Sequence, residues 1–224
     1  MSFRPLRTAL FTLALAAAPL ASQAGFVVQQ WQGQNAGNGG LSGADAAIAN
    51  RPATATATWN TIDFSDAPGY GGYVAGNTPW PLATLLGQTG ENAQANNDFT
   101  ARITGSFLIE TAGSYVFRTY GDDGLRLKID GNTVINDNSY HPASVREAVV
   151  SLNAGLHAVD LVFFEGGGQG LLEFTMRPST SNSYSLVTAA NLNVNANAVP
   201  EPGSLALVGL AGLGLWAAGR RRRA

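Results

Sequence analysis

The chain has 224 residues, with 13 Lys or Arg, 15 Asp or Glu, only two histidines and no cysteine. The absence of cysteine excludes thiol nucleophiles, thiolate zinc sites and iron–sulfur clusters, and two histidines exclude a multi-histidine metal site. At this length the chain can bury a hydrophobic core without disulfides.

The N-terminus has the order of parts that is typical of a secretory signal. Arg4 and Arg7 precede the apolar run 9–20, and the small residues Ser22 and Ala24 follow it. A bilayer-spanning helix needs about 20 apolar residues, so this run is short for a membrane anchor. We predict a signal helix at 1–24 that is cleaved after Ala24, with an uncleaved N-terminal anchor as the alternative.

Residues 25–98 are predicted to form the N-terminal part of a β domain with long loops. Phe26-Val27-Val28 favours a short strand, and a flexible stretch rich in Gly, Gln and Asn follows it up to residue 50. Alternating polar and apolar residues at 61–64 indicate a second, half-buried strand. The segments 68–81 and 91–98 are predicted to be loops.

The strand pattern is sharpest between residues 99 and 178. Short strands at close spacing, without a long helical pattern, favour an antiparallel β-sandwich or barrel. The mostly polar residues 179–198 are predicted to be a linker. The predicted core strands are 101–109, 114–120, 125–129, 133–135, 148–152, 157–164 and 171–176.

Two adjacent carboxylates interrupt this pattern in Gly121-Asp122-Asp123-Gly124. Calcium takes six to eight oxygen ligands, so Asp122 and Asp123 fit half of a calcium site, although Asp and Gly are also ordinary turn residues. Glu165 and Gln169, in a glycine-rich stretch predicted to be a loop, could complete the ligand shell or contact a glycan. The alternative for these two residues is a flexible loop at one end of the sandwich.

Several aromatic residues are candidates for stacking on a sugar ring, although aromatic side chains more often lie in the core. These candidates are Tyr70, Tyr73, Trp80, Tyr120 and Tyr140.

An enzyme is not predicted. Ser151, His157 and Asp160 are not expected to form a triad, because strand alternation does not bring them together. A polysaccharide hydrolase, which requires two placed carboxylates, is the least favoured alternative.

The C-terminus carries a three-part pattern at 199–224. Pro200-Glu201-Pro202 comes first, the apolar run 203–218 follows, and Arg220–Arg223 close the chain. The pattern predicts a transmembrane helix whose basic end stays in the cytoplasm, because the arginines cannot cross the bilayer. The two predicted end segments hold six of the basic residues and one acidic residue, so the region between them has seven basic and fourteen acidic residues. Such an acidic domain does not suit nucleic acid and is better suited to divalent cations.

This tail resembles the PEP-CTERM sorting signal of Gram-negative bacteria. The resemblance implies that an exosortase recognises Pro200, Glu201 and Pro202, removes the tail and releases the protein to the cell surface or matrix. It also implies an association with exopolysaccharide, and a membrane anchor until processing. The alternative is a plain C-terminal anchor that is not processed.

The core resembles the PA-fourteen domain, a β-sandwich named after anthrax protective antigen. The resemblance implies a carbohydrate-binding module, often calcium-dependent, in which a cis-linked aspartate pair holds the ion. Asp122 and Asp123 match that pair, which is found in the adhesin members of the family. In those members a later loop supplies further ligands, and the corresponding stretch here, 165–170, lacks the asparagine expected there. A module that only acts as a structural spacer in the matrix is the alternative. The residues that carry the resemblance are 107–109, 113–117, 121–131, 152–157 and 163–168.

Overall fold

The computed structural model describes residues 25–66, 72–74, 78–88 and 94–190. The predicted signal helix, the sorting tail with Pro200, Glu201 and Pro202, and Tyr70 lie outside these ranges. Within them, no helix combines the length and the hydrophobicity that crossing a membrane requires.

The described chain is built mainly from β-strands. The strands are β1 (Phe26–Gln32), β2 (Ala55–Trp59), β3 (Asp63–Ser65), β4 (Phe99–Ile109), β5 (Gly113–Asp122), β6 (Leu125–Ile129), β7 (Asn132–Asp137), β8 (Ser144–Leu152), β9 (Gly155–Glu165), β10 (Leu171–Pro178) and β11 (Ser185–Leu186). The helices are α1 (Gly40–Asn50) and α2 (Pro81–Leu86), and a single 3-10 turn covers Gln94–Asn96.

The strands form two sheets that enclose the core. The first has the order β2-β1-β4-β9-β6-β7, and the second has the order β11-β10-β5-β8 with β3 also paired to β10. All of these strand pairs are antiparallel. The predicted antiparallel β-sandwich is therefore confirmed.

Strand β6 and the turn after it follow the sequence pattern closely. The side chains of Leu125, Leu127 and Ile129 are at most 2% exposed, because alternation places all three on the core face. Asp130 and Gly131 both have positive φ, of 50° and 79°, which is the conformation that favours Asp-Gly in a two-residue hairpin turn.

Trp80 is a core residue and not a sugar-stacking surface. Its side chain is fully buried, and its ring stacks on Phe64 and on Phe163, each at a centroid distance of 4.9 Å. The indole N–H points toward the carbonyl of Gly170 at 3.5 Å. The prediction that Trp80 could contact a glycan is therefore wrong.

Helix α1 occupies a stretch for which the sequence analysis predicted flexible chain. Leu41 and Ala44 are buried against Val162 and Phe164 of β9, so the helix covers the outer face of the first sheet. The apolar positions 41, 44, 47 and 48 have helical spacing. The helix was not predicted because the stretch is rich in glycine and alanine, so few large apolar residues mark the helical spacing.

The segment after β10 belongs to the fold, although residues 179–198 were predicted to be a linker. Leu186 pairs with Thr175 of the second sheet, and Ala189 forms a bridge with Phe107 of the first. Val187, between them, is fully buried. The linker prediction is therefore wrong up to Ala190, whose backbone N–H still donates to the carbonyl of Ser106.

Replacing Val187 by Ala is expected to lower the free energy of unfolding by about 2 kcal/mol, because two buried methyl groups are lost from the core. Thr188→Ala removes a group of similar size from an exposed position and is the matched control. Denaturant unfolding of both variants measures the difference. Equal effects of the two substitutions would contradict a structural role for this segment.

A buried pair of acids lies on the second sheet, where Asp63 of β3 is directly opposite Glu173 of β10. Asp63 is 3% exposed, and burial followed by the charge of Glu173 raises the pKa of Asp63 from 3.8 to about 6. The guanidinium of Arg118 lies 3.6 Å from Glu173, which partly offsets the charge of that residue. Above about pH 6, where Asp63 is ionised in the folded chain, its buried charge therefore lowers the free energy of unfolding.

Asp63→Asn is expected to raise the melting temperature by roughly 2–6 °C at pH 8 and not at pH 4. The sign follows because a raised carboxyl pKa destabilises the fold only where the group is ionised. Asp45→Asn is the control and is expected to lower the melting temperature at pH 8, because hydrogen bonds from Arg126 lower the pKa of Asp45 and stabilise its ionised form. An equal shift for Asp63→Asn at both pH values would contradict this prediction.

Candidate cation and glycan site

Three carboxylates from distant parts of the sequence meet at one end of the sandwich. Asp122 is the last residue of β5, Asp123 follows it, and Glu165 is the last residue of β9. An oxygen atom from each lies within 4.8 Å of the others. All three side chains are buried, with relative exposures of 8%, 6% and 0% in that order. The structure thus brings the predicted ligands Asp122 and Asp123 together with Glu165. The prediction that Glu165 lies in a loop is wrong, because Glu165 is the last residue of a strand.

The chain next to the two aspartates packs closely against neighbouring strands. The peptide bond between Asp122 and Asp123 is cis, as the family resemblance implied. At Gly124, a Cβ atom would lie 2.5 Å from the carbonyl oxygen of Asp137 and 2.6 Å from the ring of Phe164. Only glycine fits at this position, so the Gly after the aspartate pair has a packing role.

Asp123 is held by backbone groups of two loops. The N–H of His141 donates to Oδ1 at 2.8 Å, and the N–H of Gly166 donates to Oδ2 at 3.0 Å. These bonds fix the carboxylate between the loop that follows β7 and the loop that follows β9.

Glu165 lacks the partners that a buried carboxylate needs. Within the described part of the chain, neither of its oxygens has a hydrogen-bond partner of good geometry. Burial, followed by the charges of Asp123 and Asp122, raises the pKa of Glu165 to about 9, which the nearby backbone N–H of Gly167 only partly offsets. A cation between the three carboxylates would remove this penalty.

The donor set fits a hard divalent cation. All three side chains offer only oxygen atoms, the ligands that calcium and magnesium use, whereas zinc sites are usually built from His and Cys. The two oxygens of Glu165, which have no hydrogen-bond partner among the described residues, supply the lone pairs that such an ion requires.

Asp66 is a neighbouring acid that the sequence analysis missed. It is 4% exposed, its Oδ2 accepts the N–H of Gly170 at 2.8 Å, and its charge also raises the pKa of Glu165. Asp66 follows β3, and only the pairing of β3 with the start of β10 brings it to this end. No local motif marks it, so the sequence gives no signal for this residue.

Tyr140 presents an exposed ring beside the carboxylates. Its side chain is 53% exposed, its hydroxyl donates to the carbonyl of Gly37 at 3.1 Å, and its edge meets Phe164 at a centroid distance of 5.2 Å. The next residue, His141, donates to Asp123. The ring is therefore held in place while much of its surface faces solvent.

The remaining candidates lie outside this cluster. Tyr120 lies on the outer face of β5 against the ring of Tyr73, at a centroid distance of 4.8 Å. Gln169 is half-buried in the loop that follows β9 and is not among the three clustered acids.

Ser151, His157 and Asp160 do not form a triad, as expected. His157 Nδ1 lies 2.6 Å from Asp130, and Asp160 forms an ion pair with Arg102.

Gly25 and Ala190 lie well away from the carboxylates. Ala190 donates to Ser106 of β4, and Gly25 contacts the neighbouring Gly105. Phe99, which pairs with Glu165, lies seven residues away along β4, a distance of roughly 20 Å at about 3.3 Å per residue. The carboxylates and the pair Gly25 and Ala190 therefore lie toward opposite ends of β4.

Family models match two parts of the chain. The model described as the PA14 domain matches residues 82–186, and the model described as the PEP-CTERM protein-sorting motif matches residues 198–223. The first match contains the predicted core at 99–178, and the second contains Pro200, Glu201 and Pro202. A comparison with curated proteins found no match.

Solved structures share the fold at low sequence identity. The PA14 domain of the antifreeze protein MpAFP has a TM-score of 0.59 at 20% identity, covering 77% of this chain and 94% of the other. The PA14 sugar-binding domain from an RTX adhesin has a TM-score of 0.56 at 24% identity, covering 75% and 97%. The epithelial adhesin 9 A domain of Candida glabrata, in complex with Galβ1-3GlcNAc, has a TM-score of 0.53 at 12% identity, covering 80% and 95%.

The family matches, together with the two-sheet architecture, confirm both resemblances. Residues 82–186 match the PA14 domain and residues 198–223 match the PEP-CTERM sorting motif, which supports an exported protein of the cell surface.

Proposed function

We propose that this protein binds saccharides at the cell surface or in the extracellular matrix through a calcium ion held by Asp122, Asp123 and Glu165. The observation that carries the proposal is the buried cluster itself, in which the described residues give neither oxygen of Glu165 a hydrogen-bond partner. Buried charges are normally paired or bound to a metal. When bound, calcium would supply coordination positions for the hydroxyl groups of a sugar.

The charge of the cluster favours neutral sugars. Three ionised carboxylates around one divalent cation leave a net charge of −1, so a uronic acid or another anionic sugar would be repelled. Neutral hydroxyls can complete the oxygen shell without that cost.

Tyr140 supports a role in sugar recognition. Its exposed and fixed ring lies next to the backbone that holds Asp123, where a pyranose coordinated at the ion could stack on it. The sugar-binding RTX adhesin domain and the epithelial adhesin 9 domain share this fold, which supports the same ligand class. Tyr120 and Gln169 are secondary candidates, since neither lies in the cluster.

The sorting motif supports processing of the tail by an exosortase. Exopolysaccharide, which the resemblance of the tail implies, is the proposed surface ligand. The carboxylate end lies roughly 20 Å from Ala190, the last described residue before the tail. This separation leaves the carboxylate end clear of Ala190, which supports access of extracellular glycans to the site.

Calcium binding is the first test, by calorimetric titration of the full chain in a mild detergent. Asp122→Asn, Asp123→Asn and Glu165→Gln are each expected to weaken binding at least about 100-fold, because each removes a charged ligand. Asp45→Asn makes the same chemical change on α1 and is expected to bind as the parent does. A parent chain that does not bind calcium would refute the proposal and favour the structural spacer.

Sugar binding is the second test, with an array of neutral and acidic glycans in calcium and in a chelator. Neutral glycans are expected to bind only in calcium, and the array includes Galβ1-3GlcNAc because the yeast adhesin domain binds it. Tyr140→Ala is expected to weaken sugar binding about 5–10-fold without changing calcium affinity, whereas Tyr140→Phe keeps the stacking surface.

Tyr184→Ala is the matched control for this test, because Tyr184 is not a glycan candidate: its ring packs on Arg118 and its hydroxyl donates to Glu147. Glycan binding that persists in the chelator would contradict the calcium-assisted mechanism.

A further inference from the structure

Asp98 connects the loops around the carboxylate cluster, although it is not one of the clustered acids. It follows the 3-10 turn at Gln94–Asn96, directly precedes β4 and has a φ of 51°. Its carboxylate accepts three backbone N–H groups from the segment between β1 and α1. These donors are Asn35 to Oδ2 at 3.1 Å, Gly37 to Oδ1 at 3.1 Å and Asn38 to Oδ1 at 3.0 Å.

The backbone of Asp98 makes two further hydrogen bonds. Its carbonyl accepts the N–H of Gly33 at 2.6 Å, and its own N–H donates to the carbonyl of Gly166 at 3.3 Å. The N–H of the same Gly166 donates to Asp123. One residue therefore separates Asp98 from a carboxylate of the cluster.

A second connection runs through Gly37. A Cβ atom at this position would lie 1.8 Å from the carbonyl oxygen of Glu165, so the two backbones are in direct contact. The carbonyl of Gly37 also accepts the hydroxyl of Tyr140, which precedes His141. By binding the N–H of Gly37, Asp98 keeps the segment 33–38 in contact with the backbone of Glu165. The same segment also contacts Tyr140, in the loop whose His141 N–H orients Asp123.

The chemistry of Asp98 requires a carboxylate. Three N–H groups converge on its two oxygens, and charge-assisted bonds of this kind are about twice as strong as neutral ones. An asparagine would turn an N–H donor toward at least one of them.

We propose that Asp98 is a positioning residue that sets the geometry of the cation site through Gly37 and Gly166 without contacting the ion. The proposal deepens the proposed function and rests on it for its calcium readout. Residues that orient metal ligands typically change metal affinity 10–100-fold when they are replaced.

The test compares Asp98→Asn with Asp130→Asn in the full chain. Asp130 is a matched control, because it also has a positive φ of 50° and accepts a backbone N–H, that of Ala158 at 2.8 Å. It lies in the β6–β7 turn, away from the cluster. Asp98→Asn is expected to weaken calcium binding about 10–100-fold, and Asp130→Asn to change it less than about twofold.

A second readout does not depend on calcium. In Asp98→Asn without metal, the amide hydrogens of Gly166 and His141 are expected to exchange faster than in the parent, and in Asp130→Asn they are not. Faster exchange confined to Gly37 and Asn38, or unchanged calcium affinity in a folded Asp98→Asn chain, would overturn the proposal. A parent chain that binds no calcium would refute the proposed function, and the exchange rates would then decide the role of Asp98 alone.

Asp98→Ser is the second variant if Asp98→Asn does not fold, because it keeps one acceptor oxygen on a shorter side chain. The same exchange pattern is expected from it. Protected Gly166 and His141 amides in a folded Asp98→Ser chain would also overturn the proposal.

Discussion

The constraint on which the candidate site depends is the burial of three carboxylates together at one end of the sandwich. Asp122, Asp123 and Glu165 share a site with little access to water, and all three cannot be ionised there without a counter-charge. A metal-free chain responds by keeping a proton on Glu165, whose pKa is about 9. The proposed divalent cation would be the other solution, because its charge would offset those of the three carboxylates.

The two-sheet architecture explains why these acids meet. Asp122 ends a strand of the second sheet and Glu165 ends a strand of the first, so the site spans both layers of the sandwich. The loops after β7 and β9 hold Asp123 with backbone N–H groups, and Asp98 ties the segment after β1 to the same place. The site therefore rests on strand ends and on backbone hydrogen bonds.

The fold class and the aspartate pair of the candidate site could be predicted because their signals are local. Alternation in Leu125–Ile129, the Asp-Gly turn and the adjacent aspartates each lie within a few residues. Glu165 was predicted as a candidate ligand but was assigned to a flexible loop, because glycines follow it. Only its pairing with Phe99 shows that it ends a strand. Asp66, Asp98 and the buried Val187 depend on contacts between distant segments, for which a single sequence carries no pattern.

The most direct test of the central claim is a crystal structure of the chain grown with calcium, with anomalous diffraction to locate the ion. We expect one anomalous peak with an oxygen of Asp122, of Asp123 and of Glu165 at about 2.3–2.6 Å. Calcium-soaked crystals without a peak there, in which Glu165 instead forms hydrogen bonds as a protonated acid, would contradict it.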